Sequence, residues 1–214
     1  MKAIRAIPAI IGLGLLTACS SPGDLVTRTD APDGPLFQAQ SPYQAQEVLM
    51  RKSYTVNEVN VSVPNVLVVS EANTYKPRAD IVWREDPLGD RHQQVATIVQ
   101  DALVDGVTGM EGERAVVLQV QVIKFHALTE RTRYSIGGTH DIHFALTVLD
   151  AQTGEVVEPM RVIETELTAF GGRVAIEAER QGQTQKVRIS AHLKNLIHQE
   201  LTAPREIVVA QQTQ

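Results

Sequence analysis

One cysteine, Cys19, in 214 residues sets the terms on which this chain can fold. Nothing after position 19 carries a thiol, so no disulfide can staple the folded part, even in a compartment that permits one. Stability has to come from a hydrophobic core, and the chain is long enough to build it. A domain of about 150 residues buries roughly 68–70% of the surface its unfolded form exposes. The formal net charge is -5 with both signs interspersed. That pattern excludes a nucleic-acid footprint, which needs a concentrated basic face. It also speaks against electrostatic docking on anionic lipid headgroups.

Cys19 closes a short apolar run. Lys2 and Arg5 form a positive start, Ile7 to Leu16 is apolar, and Leu16-Thr17-Ala18-Cys19 follows. This is the layout of an export signal, and its end resembles the lipobox of bacterial lipoproteins. The resemblance implies a signal peptide over residues 1–18 and acylation of Cys19. The apolar run is too short to span a bilayer. Two or more acyl chains at about 0.8 kcal/mol per buried methylene anchor a protein firmly. By the same resemblance, Ser20 at the next position implies the outer membrane rather than the inner, with the protein facing the periplasm.

Residues 19–53 read as a lipidated N-terminus and flexible tether, rich in turn formers and glutamine, from Ser20-Ser21-Pro22-Gly23 to Gln38–Gln46. About 30 such residues have a root-mean-square span of roughly 30 Å. Residues 204–214 form a C-terminal tail in which Ile207-Val208-Val209 offers an edge strand.

Between them, residues 54–203 predict one α+β domain. Tyr54 to Val69 is strand-like, with Val59, Val61 and Val63 alternating with polar neighbours and Pro64 marking a bulge, an edge or a break. Asp90 is a suitable N-cap for a helix with Val95, Ile98, Val99, Ala102 and Leu103 on one face, stopped at Gly106. Val116, Leu118, Val120 and Val122 alternate as a strand, as do Ile142, Phe144, Leu146 and Val148. Asp150 to Gly154 is a hairpin turn, so Glu155 to Thr168 returns antiparallel and ends at Gly171-Gly172. A last helix covers about Gln185 to Leu201, with Ile189, Leu193, Leu196, Ile197 and Leu201 as its apolar stripe. The expected architecture is a two-layer sandwich: a four- or five-stranded mixed sheet with two helices on one face. The other face, with Gln119, Gln121, His143, Thr147, Glu164 and Glu166, is left to water or a partner.

Several stretches resemble an uncharacterised family of alphaproteobacterial lipoproteins: Val66 to Tyr75, Ala79 to Arg91, Phe125 to Glu130, Thr153 to Glu155 and Gly182 to Val187. That resemblance covers most of the mature chain and implies no activity. A weaker one, carried by Trp83-Arg84-Glu85-Asp86-Pro87 ahead of an amphipathic helix, is to auxiliary lipoproteins of ABC-type lipid transport systems.

Two polar stretches are candidate partner-binding sites. Trp83, Arg84 and Glu85 place an aromatic anchor beside mixed charges, as interface hot spots do. The competing reading has Trp83 in the core while Asp86, Pro87 and Asp90 organise the helix start. Arg131, Arg133 and Tyr134 lie in a long connection, Thr129 to Gly138, suited to contacting a partner or to decorating strand ends. The acidic spacing around Asp80–Asp90 does not match an EF-hand. His126, His140 and His143 are expected as solvated strand histidines without a metal, since His140 and His143 fall on opposite strand faces. No nucleophile elbow, phosphate loop or zincin motif occurs. The chain therefore reads as a non-catalytic accessory or scaffold subunit of an envelope process such as lipid transport, without a cofactor. It meets the membrane through its acyl chains and a protein partner through the domain. The alternative is a periplasmic module that binds an apolar molecule between helices and sheet.

Overall fold

Alternation builds the centre of the sheet. In a computed structural model describing residues 43–50 and 52–212, with side chains over 52–204, β4 (Arg114–His126) and β5 (Gly138–Asp150) pair antiparallel and place Leu118 opposite Val148, Val120 opposite Leu146 and Val122 opposite Phe144. These six side chains are at most 2% exposed. β6 (Val156–Ala169) returns antiparallel on β5 after a turn in which the Asp150 carboxylate accepts from the amides of Gln152 and Thr153 and Gly154 takes φ 72°. On the other side β2 (Tyr54–Ser62) lies parallel to β4 as an edge strand, giving the order β2-β4-β5-β6. The helix α1 (Arg91–Val107) is the crossover between the two parallel strands.

Asp90 caps α1 as expected, its side chain accepting from the Gln93 amide at 3.1 Å. The long helix α4 (Gln185–Thr202) is capped by Thr184. Val95, Ile98, Val99 and Leu103 from α1 and Ile189, Leu193 and Ile197 from α4 fill the layer over the sheet, none more than 2% exposed. The result is the α+β two-layer sandwich with a mixed five-stranded sheet. Gly106 does not stop α1, which runs one residue further; its missing side chain instead lets α4 come close.

The fifth strand is β3 (Ile81–Val82), two residues parallel to the end of β4. A register shift between Val122 and Lys124 makes this useful. One extra residue reverses the alternation, so odd-numbered Phe125 joins even-numbered Val122 on the core side, at 0% exposure. β3 then delivers Trp83 edge-on to Phe125, ring centroids 5.8 Å apart.

The structure departs from expectation in several places. The strand from Tyr54 ends at Ser62, and beyond Pro64 only a bridge from Val69 to Ile81 remains. The connection from Thr129 to Gly138 contains a short helix, α2 (Glu130–Arg133). A further helix, α3 (Gly172–Arg180), follows β6; with Ala175 its one buried residue, it lacks the apolar stripe that announces a helix. Residues 43–50, expected in the tether, form β1, and Arg205–Gln212 form β7; the two pair with each other in a separate two-stranded sheet rather than extending the large one. Among the described residues no helix is long and apolar enough to cross a membrane. Cys19, the signal peptide and most of the expected tether lie outside the described residues.

Candidate partner interface

The two candidate stretches form one surface. α2 begins at Thr129, whose hydroxyl accepts from the Thr132 amide, and carries Glu130 in its first turn and arginines in its last, matching the helix dipole. Its flank is tied to residues 73–75: the Arg131 amide donates to the Asn73 side chain at 2.8 Å and the Thr132 hydroxyl to the Tyr75 carbonyl at 2.9 Å. Across from it, Arg84 donates to Glu130 at 2.6 Å and pairs with Glu71 at 3.2 Å. Arg133 reaches Glu85 at 3.2 Å and Glu179 of α3 at 3.2 Å. Lys186, at the start of α4, pairs with Asp86 at 2.9 Å.

Three of these carboxylates, Glu71, Asp86 and Glu130, are held in their charged form. The Arg91 hydrogen bond keeps Glu71 below the usual carboxylate range. For Asp86 and Glu130 burial pushes upward, but Lys186 and Trp83 outweigh it at Asp86, and Arg84 at Glu130. Arg91 is 4% exposed and also donates to the carbonyls of Asp86 and Pro87, fixing the loop ahead of α1.

Trp83 is corrected from surface anchor to core: it is 0% exposed, and its indole N–H donates to Asp86 at 2.9 Å. Pairing through β3 turns it inward. Arg133 is also withdrawn, at 8% exposure between two carboxylates. What remains for a partner is Leu88 at 82% exposure, Tyr75 at 50% and Tyr134 at 47%, with the Arg131 guanidinium stacked 4.5 Å from the Tyr75 ring centroid. An open cleft of about 560 Å³ runs between Leu88, Arg84 and Glu130. Sequence reasoning missed Glu71, Tyr75, Leu88, Glu130 and Glu179. Only Glu130 left a local signal, as the first-turn acid of a helix capped by Thr129.

The histidines do not converge. His140 is corrected from solvated to fully buried; it faces the helical layer, and neither ring nitrogen has a hydrogen-bond partner among the described residues. Burial first, then the charges of Arg188, Arg133 and His192, lower its pKa to about 4. His143, on the opposite strand face, pairs with Asp141 at 2.7 Å. His126 is half-buried against the Ala79 carbonyl. The uncovered sheet face exposes Gln119, Gln121, Glu164 and Glu166, as expected, together with Met160 and Val162.

Residues 54–214 match a family of unknown function, DUF6778. No curated protein sequence matches the chain. Solved structures similar to it include a protein of Xanthomonas campestris from family DUF330, at 10% identity over 71% of this chain and 84% of that one with a TM-score of 0.42. Another is the PelC dodecamer of Paraburkholderia phytofirmans, at 16% identity over 75% of this chain and 99% of that one with a TM-score of 0.32. A minor lipoprotein of Acinetobacter baumannii is 11% identical over 70% of this chain and 97% of that one, with a TM-score of 0.29.

Proposed function

The chain belongs to DUF6778, a family of unknown function, and from its own residues we propose that it is a non-catalytic, membrane-anchored lipoprotein whose domain serves as an accessory or scaffold subunit in the periplasm. The Leu16-Thr17-Ala18-Cys19 motif supports the anchor, and Ser20 favours the outer membrane. One observation carries the partner-binding role: two stretches 46 residues apart in sequence, joined by the Arg84–Glu130 pair, build one pre-organised surface, from which Leu88 projects at 82% exposure. A surface whose charges already neutralise one another loses little by desolvation, and rigid aromatic rings beside an exposed leucine supply contact area at low entropic cost. The resemblance of Trp83 to Pro87 to lipid-transport auxiliary lipoproteins favours lipid transport as the process served.

The test uses the full chain in an envelope-bearing bacterium. Labelled palmitate should enter the protein and Cys19→Ala should both block labelling and free it from the membrane. A photo-crosslinker at Tyr75 should give one discrete adduct that Leu88→Asp abolishes while the domain stays folded. An adduct indifferent to Leu88, or none, would overturn the interface.

A further inference from the structure

Among the described residues the outer edge of β2 pairs with no strand, and a side chain of α1 occupies it instead. Gln100 of α1 donates from its side-chain amide to the Val59 carbonyl at 2.6 Å, while its amide oxygen accepts from the Val61 N–H at 3.1 Å. Bonding the carbonyl before Asn60 and the N–H after it is how one residue of a parallel neighbouring strand would pair. One primary amide thus makes the two bonds that one strand residue would make. It also protects an edge that would otherwise offer its hydrogen bonds to any extended chain.

Beside that edge runs a groove of about 630 Å³. β2 forms one wall, and Val104, Val107 and Met110, at and beyond the end of α1, form the other. Val104 is 41% exposed. A strand edge facing an apolar helical wall provides both parts of strand-addition recognition, main-chain hydrogen bonds for affinity and an apolar surface for alternate side chains. The charges of its lining and of the adjoining stretch of α1 are acidic. Among the described residues, Glu58, exposed, is the one ionisable residue of the lining. Asp101 and Asp105 are exposed on α1, and Glu111 and Glu113 are exposed just beyond it. The last turn of α1 contains no basic residue of its own, and among the described residues the one ring that reaches it is that of His198, against the Gly106 carbonyl at 3.2 Å. Arg114, the nearest cation in sequence, is bonded to Asp150 at 3.1 Å.

We infer that this groove is a docking site for an extended, basic segment of a partner protein, which displaces the Gln100 amide and adds as a strand to β2. Its apolar residues lie against Val104, Val107 and Met110, and its lysines or arginines meet the acidic rim. The inference goes beyond the surface around Leu88 and depends on neither that surface nor the anchor.

The test titrates the purified full chain with the blocked heptapeptide Lys-Val-Lys-Val-Lys-Val-Lys, followed by anisotropy and backbone amide shifts. Saturable binding is expected, with shifts concentrated at residues 57–62 and 104–110 and affinity falling as salt rises. Methylating the valine amides should weaken binding at least tenfold, and a Glu-Val peptide of the same length should not bind. Gln100→Ala, which clears the edge, should tighten binding by about two- to tenfold, the worth of a hydrogen bond no longer displaced. Val104→Lys, at a half-exposed site that tolerates it, should weaken binding. Absence of saturable binding to both the natural chain and Gln100→Ala overturns the proposal. So does equal binding of the methylated peptide, or shifts confined to another surface.

Discussion

Gly106 of α1 lies directly against Ile197 of α4: a Cβ on Gly106 would stand 2.4 Å from Ile197 Cγ2 and 2.5 Å from the Lys194 carbonyl oxygen. Leu103 and Leu193, about one turn earlier on the two helices, are fully buried. His198 hydrogen-bonds the Gly106 carbonyl at 3.2 Å, closing the approach from the outer side.

Gly106→Ala is therefore expected to destabilise the domain, although alanine is the better helix former by about 1 kcal/mol. A methyl group inside 2.5 Å of backbone has to push the helices apart, which costs about 1–3 kcal/mol for overpacking in a filled core. Urea denaturation should show a lower midpoint with an unchanged slope. A midpoint that rises would mean the helix–helix distance is set elsewhere.

Much of this architecture could be read from sequence because its signals are local. Val116 to Val122 and Ile142 to Val148 alternate with the period of a strand, Asp90 caps a helix, and Asp150 to Gly154 turns a hairpin. What could not be read depends on contacts distant in sequence. Gly106 looks like a helix stop until Ile197 is seen against it. Trp83 looks like a surface anchor among charges until two residues of β3 pair with β4 and the shift after Val122 brings Phe125 round to meet it. His140 obeys the period of its strand, but a lone histidine does not announce burial. The candidate interface was legible as two fragments; their union rests on Arg84–Glu130 and Arg133–Glu85, pairs that no local pattern encodes.

Acid should unfold the domain partly through His140. Its folded pKa, about 4, lies below the ordinary 6.5, so between these values the unfolded chain binds a proton that the folded chain does not. Stability is whole above about pH 6.5 and is lost as pH falls toward 4, by about 3 kcal/mol at the lower end. Burial depresses His192 and His126 as well, adding to the same slope. His140→Leu should flatten most of the slope. It should also raise stability at pH 7 by about 1 kcal/mol, since it removes two buried nitrogens that have no partner among the described residues. Denaturation midpoints measured from pH 4 to 7 on both proteins check this. An unaltered slope would assign the acid sensitivity to other groups.

Glu158 ties the start of β6 to β2, the strand at the other edge of the sheet. It is 4% exposed and accepts from Tyr54 at 2.9 Å, with Lys52 at 3.2 Å and Arg161 at 2.9 Å. Glu158→Ala removes a carboxylate shared by Tyr54, Lys52 and Arg161; because Arg161 keeps Glu200 at 2.8 Å and Lys52 keeps the Glu200 carbonyl at 2.6 Å, the expected cost is about 1–3 kcal/mol. Burial first, then the bond to Glu158, pushes the Tyr54 hydroxyl up to about 12. Glu158→Gln should lower that pKa while leaving it above the ordinary value, because burial remains. Ultraviolet difference titration of the tyrosines, compared with Tyr54→Phe to identify the signal, separates the two contributions.

Trp83, the one tryptophan of the chain, reports directly on whether it is core or contact. Fully buried and edge-on to Phe125, it should emit at short wavelength, resist quenching by iodide and shift red on unfolding. Trp83→Ala should cost about 3–5 kcal/mol, as for other large aromatic side chains removed from a core. Trp83→Phe should cost less, since it keeps an aromatic ring near Phe125 and loses mainly the bond to Asp86, which retains Lys186 as its partner. Partner binding should then follow the fraction folded: intact in Trp83→Phe under conditions where the domain is folded, and lost in Trp83→Ala only to the extent that it unfolds. A folded Trp83→Phe that no longer engages the partner would return the indole to the interface and overturn its assignment to the core.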